Sequence, residues 1–293
     1  MLTNTFCHLL GIGEKTERNL WGAGVTCWDS IVTQAGIKLS RALRESWSDH
    51  MQESIDNHAN RNPNYFEQKL PTNQRWRLYG TFQDVTAFLD IETTGLHGGE
   101  ITTITLYDGR TIRHYVNGDN LDSFSTDVKD YRLLVTYNGK AFDVPFIEGY
   151  FGIRLRHAHI DLMHPLRSLG LKGGLKGCER QMGIDRPGLE DVDGYVAVLL
   201  WNEYRQRKSV KALETLLAYN MQDTVSLHAL MVHAYNQKVG ATPFAGTHTL
   251  PMPTLPEIPF KADRDTVDRV WRQAFEERET AMSFTARFAI SES

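Results

Sequence analysis

Asp90-Ile91-Glu92 is the first place in the chain where side chains could do chemistry together. It closes the run Val85-Thr86-Ala87-Phe88-Leu89-Asp90-Ile91, whose β-branched and aromatic residues predict a buried strand. Residues i and i+2 of a strand share a face, so both carboxylates point the same way. By spacing alone an Asp-x-Glu is expected about once in a chain of this composition, and chance is the plain alternative. Position favours function, because two like charges leaving an apolar strand are costly without a cation to compensate them.

Two more acids stand where they could join this pair. Tyr137-Asn138-Gly139-Lys140-Ala141-Phe142-Asp143-Val144-Pro145 reads as a strand end, a turn and a helix start, with Asp143 in the first helical turn. An acid there also serves as a cap or a dipole partner. In Tyr219-Asn220-Met221-Gln222-Asp223 a spacing of four stacks Tyr219 and Asp223 on one helix face, beside the apolar Leu213, Leu216, Leu217, Leu227 and Leu230. The alternative there is a packing aromatic next to a solvated acid. Phosphodiester cleavage by two metals needs carboxylates that converge from separate elements on cations roughly 3.5–4 Å apart. Magnesium takes oxygen ligands and keeps several waters, so three or four carboxylates suffice.

The elements that must position these acids are legible in outline. Residues 1–75 predict a helical region, with breaks near Gly22–Gly24, Gly36 and Asn62-Pro63 and a linker at Pro71-Thr72-Asn73. Residues 76–237 predict the catalytic domain. Its first strand is followed by Ile101 to Tyr107 and, across an Asp108-Gly109 turn, by Thr111 to Val116, an antiparallel meander. Tyr131 to Tyr137 and His157 to Leu162 give a fourth and a fifth strand, with a helix from Phe142 to Phe151 between them. Gly173 to Met182, Gly194 to Arg207 and Ala212 to Ala234 predict helices. Residues 238–293 form a proline-punctuated tail with an amphipathic stretch from Asp263 to about Met282. A three-strand meander, then alternating helices and parallel strands, is the order of an α/β ribonuclease-H-like mixed sheet flanked by helices.

Taken together and in this order, the acidic motifs resemble the DnaQ-like exonucleases of the DEDD superfamily. Asp90-x-Glu92 is similar to the first exonuclease motif, Asn138-x-x-x-Phe142-Asp143 to the second and Tyr219-x-x-x-Asp223 to the third. The histidine form would place His five residues before the last acid, where this chain has Ala218, so the resemblance is to the tyrosine (DEDDy) subclass. Phe88-Leu89-Asp90-Ile91-Glu92-Thr93-Thr94-Gly95-Leu96, the Asn138-Gly139-Lys140 turn, Gly173-Gly174-Leu175-Lys176-Gly177 with Glu179-Arg180, and Tyr219-Asn220 are similar to the YprB-type ribonuclease-H-like branch. The resemblance covers residues 76–235. It implies a 3′–5′ exonuclease with two divalent cations, Mg2+ or Mn2+. Asp90 would bridge them, Glu92 and Asp223 would complete the tighter site, and Asp143 would act through water. Tyr219 would orient the attacking water, while Asn138, Lys140 and Thr93 would touch substrate phosphate. The implied partner is single-stranded nucleic acid, with DNA favoured over RNA because the family context suggests DNA repair or nucleic-acid turnover.

Other residues carry weaker signals. Leu9-Leu10-Gly11-Ile12-Gly13-Glu14-Lys15 with Arg18 resembles the hairpin and second helix of a helix–hairpin–helix element, in which Gly11, Gly13 and Lys15 would hold a phosphate. A tight glycine turn between packed helices is the alternative. Asp161 either supports the acidic site or caps the segment after the fifth strand. His157, His159 and His164 lack a fourth ligand and read as strand-edge histidines rather than a zinc site. The chain has 293 residues, 41% hydrophobic and 23% charged, which suits a globular protein. Its formal charge of −4 supplies no global basic field for nucleic acid, although an acidic metal site contributes to that count. Cys7, Cys27 and Cys178 leave one unpaired under any pairing and suit a reducing compartment. The N-terminus lacks a signal-peptide core, and apolar runs such as Val196 to Leu200 are too short to span a bilayer, so a cytoplasmic protein without a membrane partner is expected. Two rival functions keep the fold. One is a nuclease-like binding module without chemistry; the other is an endonuclease of the ribonuclease H type, which would not need Tyr219.

Overall fold

The structure is a computed structural model and describes residues 1–33, 41–95 and 98–276. Gly36, Leu96 and the stretch from 277 towards Met282, all named above, lie outside the described residues. Its centre is a five-stranded sheet in the order β3-β2-β1-β4-β5. The strands are β1 (Thr86–Thr93), β2 (Ile101–Tyr107), β3 (Ile112–Val116), β4 (Leu133–Thr136) and β5 (Ala158–Asp161). β1 pairs antiparallel with β2, and β2 with β3, while β4 lies parallel to both β1 and β5. This is the mixed, ribonuclease-H-like sheet expected from the sequence.

Local chemistry explains the pairing. Asp108 accepts the N–H groups of Arg110 (2.9 Å) and Thr111 (2.8 Å), and Gly109 takes φ +89°, which together close the hairpin between β2 and β3. Alternation along β1 then sorts its side chains. Ala87, Leu89 and Ile91 join Ile104, Leu106, Phe124, Leu134 and Ile147 on one face. Phe88 packs on the opposite face with Val225, Leu227, Leu230 and Tyr235 of the helix Val210–Gly240. Asp90 and Glu92 share the parity of Phe88, so they emerge on the face covered by this long helix.

The long helix runs for 31 residues, further at both ends than Ala212 to Ala234, and starts at Ser209, whose hydroxyl accepts the Ala212 N–H. Helices Asp143–Phe151, Gly174–Gln181 and Gly194–Arg207 lie close to their expected bounds. The short helix Met163–Ser168 and the turns from Thr72 to Val85 and from Leu121 to Asp130 are additions that the sequence pattern does not predict. Helices Glu14–Gly22, Trp28–Thr33, Arg41–Ala59 and Pro63–Lys69 build the N-terminal region. Residues of this region share one continuous apolar core with β4, β5 and the end of the long helix, including Phe6, Trp21, Trp28, Phe66, Trp76, Leu133, Ile160 and Tyr235. Glu17, buried at 1% exposure, pairs with Arg77 at 2.7 Å inside the same interior. The tail folds back as well: Leu250 exchanges two 2.8 Å hydrogen bonds with the Asn236 side chain, and Val267 and Val270 pack on the helix Gly194–Arg207. No helix among the described residues is long and apolar enough to cross a membrane.

Candidate metal centre

Asp90 and Glu92 leave β1 opposite Thr105 and Thr103 of β2, and the register slips between Glu92 and Thr93 where the strand ends. Across from them the long helix presents Tyr219, Asn220 and Asp223 on one face. One carboxylate oxygen from each of Asp90, Glu92 and Asp223 lies within 4.8 Å of the others, and this is the one convergent ligand group among the described residues. Three hard oxygen donors at that separation fit Mg2+ or Mn2+ and offer nothing to a soft metal. Asp143 stands beside the group without belonging to it. It begins its helix, is 5% exposed, and its Oδ1 accepts the Ile91 N–H at 3.3 Å, which ties it to the back of β1.

The acids destabilise one another as anions. Burial, followed by the charges of Asp223 and Asp143, pushes the carboxyls of Asp90 and Glu92 well above the usual carboxylate range. Burial raises Asp143 to about 7 and also raises Asp223, although Arg186 opposes the latter shift. A divalent cation would stabilise such a group of buried acids in their ionised form. Tyr219 is 6% exposed and its phenol is pushed far up, first by burial and then by Asp223, Glu92 and Asp90.

Residues outside the acidic motifs hold the group in place. Asn220, fully buried, donates to Asp90 Oδ2 at 2.7 Å and accepts from the Thr105 hydroxyl at 2.7 Å, so it locks the first acid to both β2 and the long helix. Arg186 forms an ion pair with Asp223 and donates from Nε to Glu179 Oε2. Lys176 Nζ lies 5.3 Å and Arg186 Cζ 5.9 Å from the Tyr219 ring centre, so two cations flank the phenol. Sequence reasoning gives no role to Asn220 or Arg186. A polar residue at 220 on an otherwise apolar helix face is a usable signal for the first. Arg186 sits in Gly183-Ile184-Asp185-Arg186-Pro187-Gly188, which reads as a solvated loop and offers none.

The turn between β4 and the helix of Asp143 is built by Asp161. Its carboxylate accepts the N–H groups of Asn138 (2.8 Å), Lys140 (3.2 Å) and Met163 (3.1 Å). Asn138 takes φ +60°, and a Cβ on Gly139 would stand 2.4 Å from Thr136 Oγ1, so the turn requires glycine at 139. Asn138 is exposed on this turn, whereas Lys140 reaches Glu67 of the N-terminal region at 2.8 Å. The Thr93 hydroxyl donates to the Gly95 carbonyl at 3.0 Å and serves the chain reversal after β1. Gly11, Gly13 and Lys15 are exposed at the head of the helix Glu14–Gly22; ahead of them the chain forms turns and a 3-10 segment Leu2–Asn4. His157 and His159 meet the Val128 carbonyl (2.9 Å) and the Thr136 hydroxyl (2.8 Å), as strand-edge histidines do. Burial and then the charge of Lys140 lower His159 to about 4.

The sequence family RNase_H_2, of the RNase_H superfamily, matches residues 87–235, just over half of the chain, a span that contains all four acids. The chain belongs to the ribonuclease H superfamily. Ribonuclease H-like nucleases use divalent metals and bind nucleic acid, and this ribonuclease H-like domain carries the acidic cluster such chemistry needs. It is 35% identical over 171 residues to a Bacillus subtilis protein, "Uncharacterized protein YprB", a match that takes in 50% of this chain and 41% of that one. The chain therefore spans less than half the length of the curated relative it matches. A solved family B DNA polymerase from the archaeon Pyrobaculum calidifontis aligns with 15% identity and a TM-score of 0.40, over 57% of this chain and 27% of that one.

Proposed function

We propose that this ribonuclease H-like chain is a metal-dependent 3′–5′ exonuclease of the tyrosine-bearing DEDD type, acting on single-stranded nucleic acid with DNA favoured over RNA. The observation that carries this reading is the convergence of Asp90, Glu92 and Asp223 within 4.8 Å, with Tyr219 one helical turn before Asp223. A ribonuclease H-type endonuclease has no use for that phenol. Two divalent cations would be held by Asp90, Glu92 and Asp223, with Asp143 at their margin. When bound they supply activation of water and stabilisation of the charge that develops at phosphorus.

The chain's own residues do the positioning. Asn220 fixes the Asp90 carboxylate, and Ile91 N–H fixes Asp143. Tyr219, whose phenol burial and the charges of Asp223, Glu92 and Asp90 push up, would orient the attacking water. Asn138, on the exposed turn, would meet the phosphate of the terminal nucleotide, with Thr93 and Lys140 as further phosphate contacts. Gly11, Gly13 and Lys15 would serve as a separate handle for the strand.

Degradation of 5′-labelled single-stranded DNA and RNA of one sequence, with Mg2+, Mn2+ or chelator, tests this. The expected products shorten stepwise from the 3′ end, need the cation, and fall by at least about 10²-fold in rate with Asp223→Ala or Tyr219→Phe, a loss typical of a positioned catalytic group. Undiminished cutting of a circular or 3′-blocked substrate would exclude exonuclease polarity.

A further inference from the structure

Arg186 lies between two carboxylates of unequal standing. Glu179 is fully buried in the helix Gly174–Gln181, and Arg186 donates to it through Nε. Asp223 belongs to the convergent group, and Arg186 Nη2 forms its other ion pair there. The Arg186 side chain is only 7% exposed, and its Nη1 has no hydrogen-bond partner. Lys176, the other nearby cation, has its Nζ committed to the Val192 carbonyl and faces the ring of Tyr219.

The two pairs differ in what could replace the guanidinium. Glu179 has no exit to solvent, and a buried acid stripped of its partner is strongly unfavourable, so the Glu179–Arg186 pair is permanent. Asp223 has an alternative: a cation shared with Asp90 and Glu92 would satisfy the same oxygen. We propose that Arg186 is a positioning residue, the built-in counter-cation of Asp223, which holds that carboxylate in place and is exchanged for a divalent cation as one enters. The inference rests on reading the site as a divalent-cation centre. The consequence is an internal competitor: the guanidinium keeps Asp223 aimed before loading and weakens the hold on metal once loaded. Anchoring through Glu179 prevents Arg186 from leaving altogether, so release of the cation restores the original pair.

The sign of the effect makes this testable without an activity assay. Mn2+ is titrated calorimetrically into the full, chelator-stripped chain and into Arg186→Gln, Arg186→Lys and the double variant Glu179→Gln/Arg186→Gln. Removing a positive charge adjacent to the ligand oxygens should tighten Mn2+ binding on the order of tenfold in Arg186→Gln, and by a smaller factor in the double variant, which also removes the Glu179 charge. Arg186→Lys, which keeps the charge, should bind like the parent. Arg186→Gln alone orphans Glu179 and is expected to melt earlier. The double variant removes that penalty and carries the test if the single one does not fold. Mn2+ binding equal to or weaker than the parent's in the folded Gln variants overturns the exchange and leaves the metal reading intact. No saturable Mn2+ binding by the parent overturns the metal reading itself, and the exchange with it.

Discussion

Protonation of the acidic group ties the site to stability at the level of single residues. Burial raises Asp143 to about 7 and moves Asp90, Glu92 and Asp223 in the same direction. In the unfolded chain these acids ionise near 4. Between those values the folded protein keeps protons that the unfolded chain has released. With no cation bound, Asp143 therefore makes stability fall as pH rises from about 4 to about 7, and the upward shifts of Asp90, Glu92 and Asp223 act in the same direction. A divalent cation binds the ionised group and reverses that trend. Thermal melts in chelator and in Mg2+ should show a cation-induced rise in Tm that is larger at pH 8 than at pH 5, and Asp90→Asn should reduce it. A Mg2+ shift of equal size at both pH values would mean that cations act elsewhere on the molecule. Asn220 shows why residue roles are only partly legible. Its position beside Tyr219 is visible, but its two partners come from strands more than a hundred residues earlier, Asp90 and Thr105, and pairing of that kind leaves no local pattern.

Elements are legible where periodicity is long and lost where it is short. β1, β2 and β3 announce themselves through β-branched alternation and an Asp-Gly turn, and the long helix through its apolar face. The run from Thr72 to Val85 is a chain of 3-10 and single α turns, too short to show either period, and its start reads as linker. The turn that delivers Asp143 is legible as an Asn-Gly motif, yet the residue that builds it, Asp161, is on β5 and has two open readings in the sequence. Three backbone N–H groups converge on its carboxylate, so it organises the junction of β4, β5 and the Asp143 helix. Asp161→Asn keeps the shape but turns half of the acceptor into a donor facing those N–H groups. A loss of about 1–3 kcal/mol in unfolding free energy is expected, by urea titration, from leaving buried donors unsatisfied. Because the same turn precedes Asp143, the variant should also bind Mg2+ less tightly than the parent. Unchanged stability would leave Asp161 as a bystander to a turn held by Gly139 alone.

At the scale of the whole molecule the question is whether residues 1–75 are an appendage or part of the machine. The sequence divides there by texture, helical before and strand-rich after. In three dimensions the apolar core runs across that division: Phe66 lies 6.1 Å from Phe82, and Trp21 meets the Phe244 ring edge-on at 5.3 Å. A buried polar link is Glu17, whose carboxylate accepts the Phe6 and Cys7 N–H groups and pairs with Arg77, which also reaches the Thr5 hydroxyl. Removing one partner of such a pair leaves a buried charge without compensation and costs about 3–5 kcal/mol, while replacing both with apolar residues of similar size can be nearly neutral. Arg77→Met should therefore lower stability by that amount, and Glu17→Gln/Arg77→Met, which removes the stranded charge but keeps an acceptor for the Phe6 and Cys7 N–H groups, should recover part of it. If the shared core makes one cooperative unit, Arg77→Met shifts a single urea transition to lower denaturant, and the Mg2+-dependent rise in Tm shifts with it. If residues 1–75 are autonomous, the variant instead shows two transitions, with the early one insensitive to Mg2+. The continuity of the core from Phe6 to Tyr235 favours the single transition. Stability at the N-terminal helices would then be felt at a carboxylate group built on β1 and the long helix, because the same helix carries Asp223 near its middle and Tyr235 in the core that Phe6, Trp21 and Phe66 share.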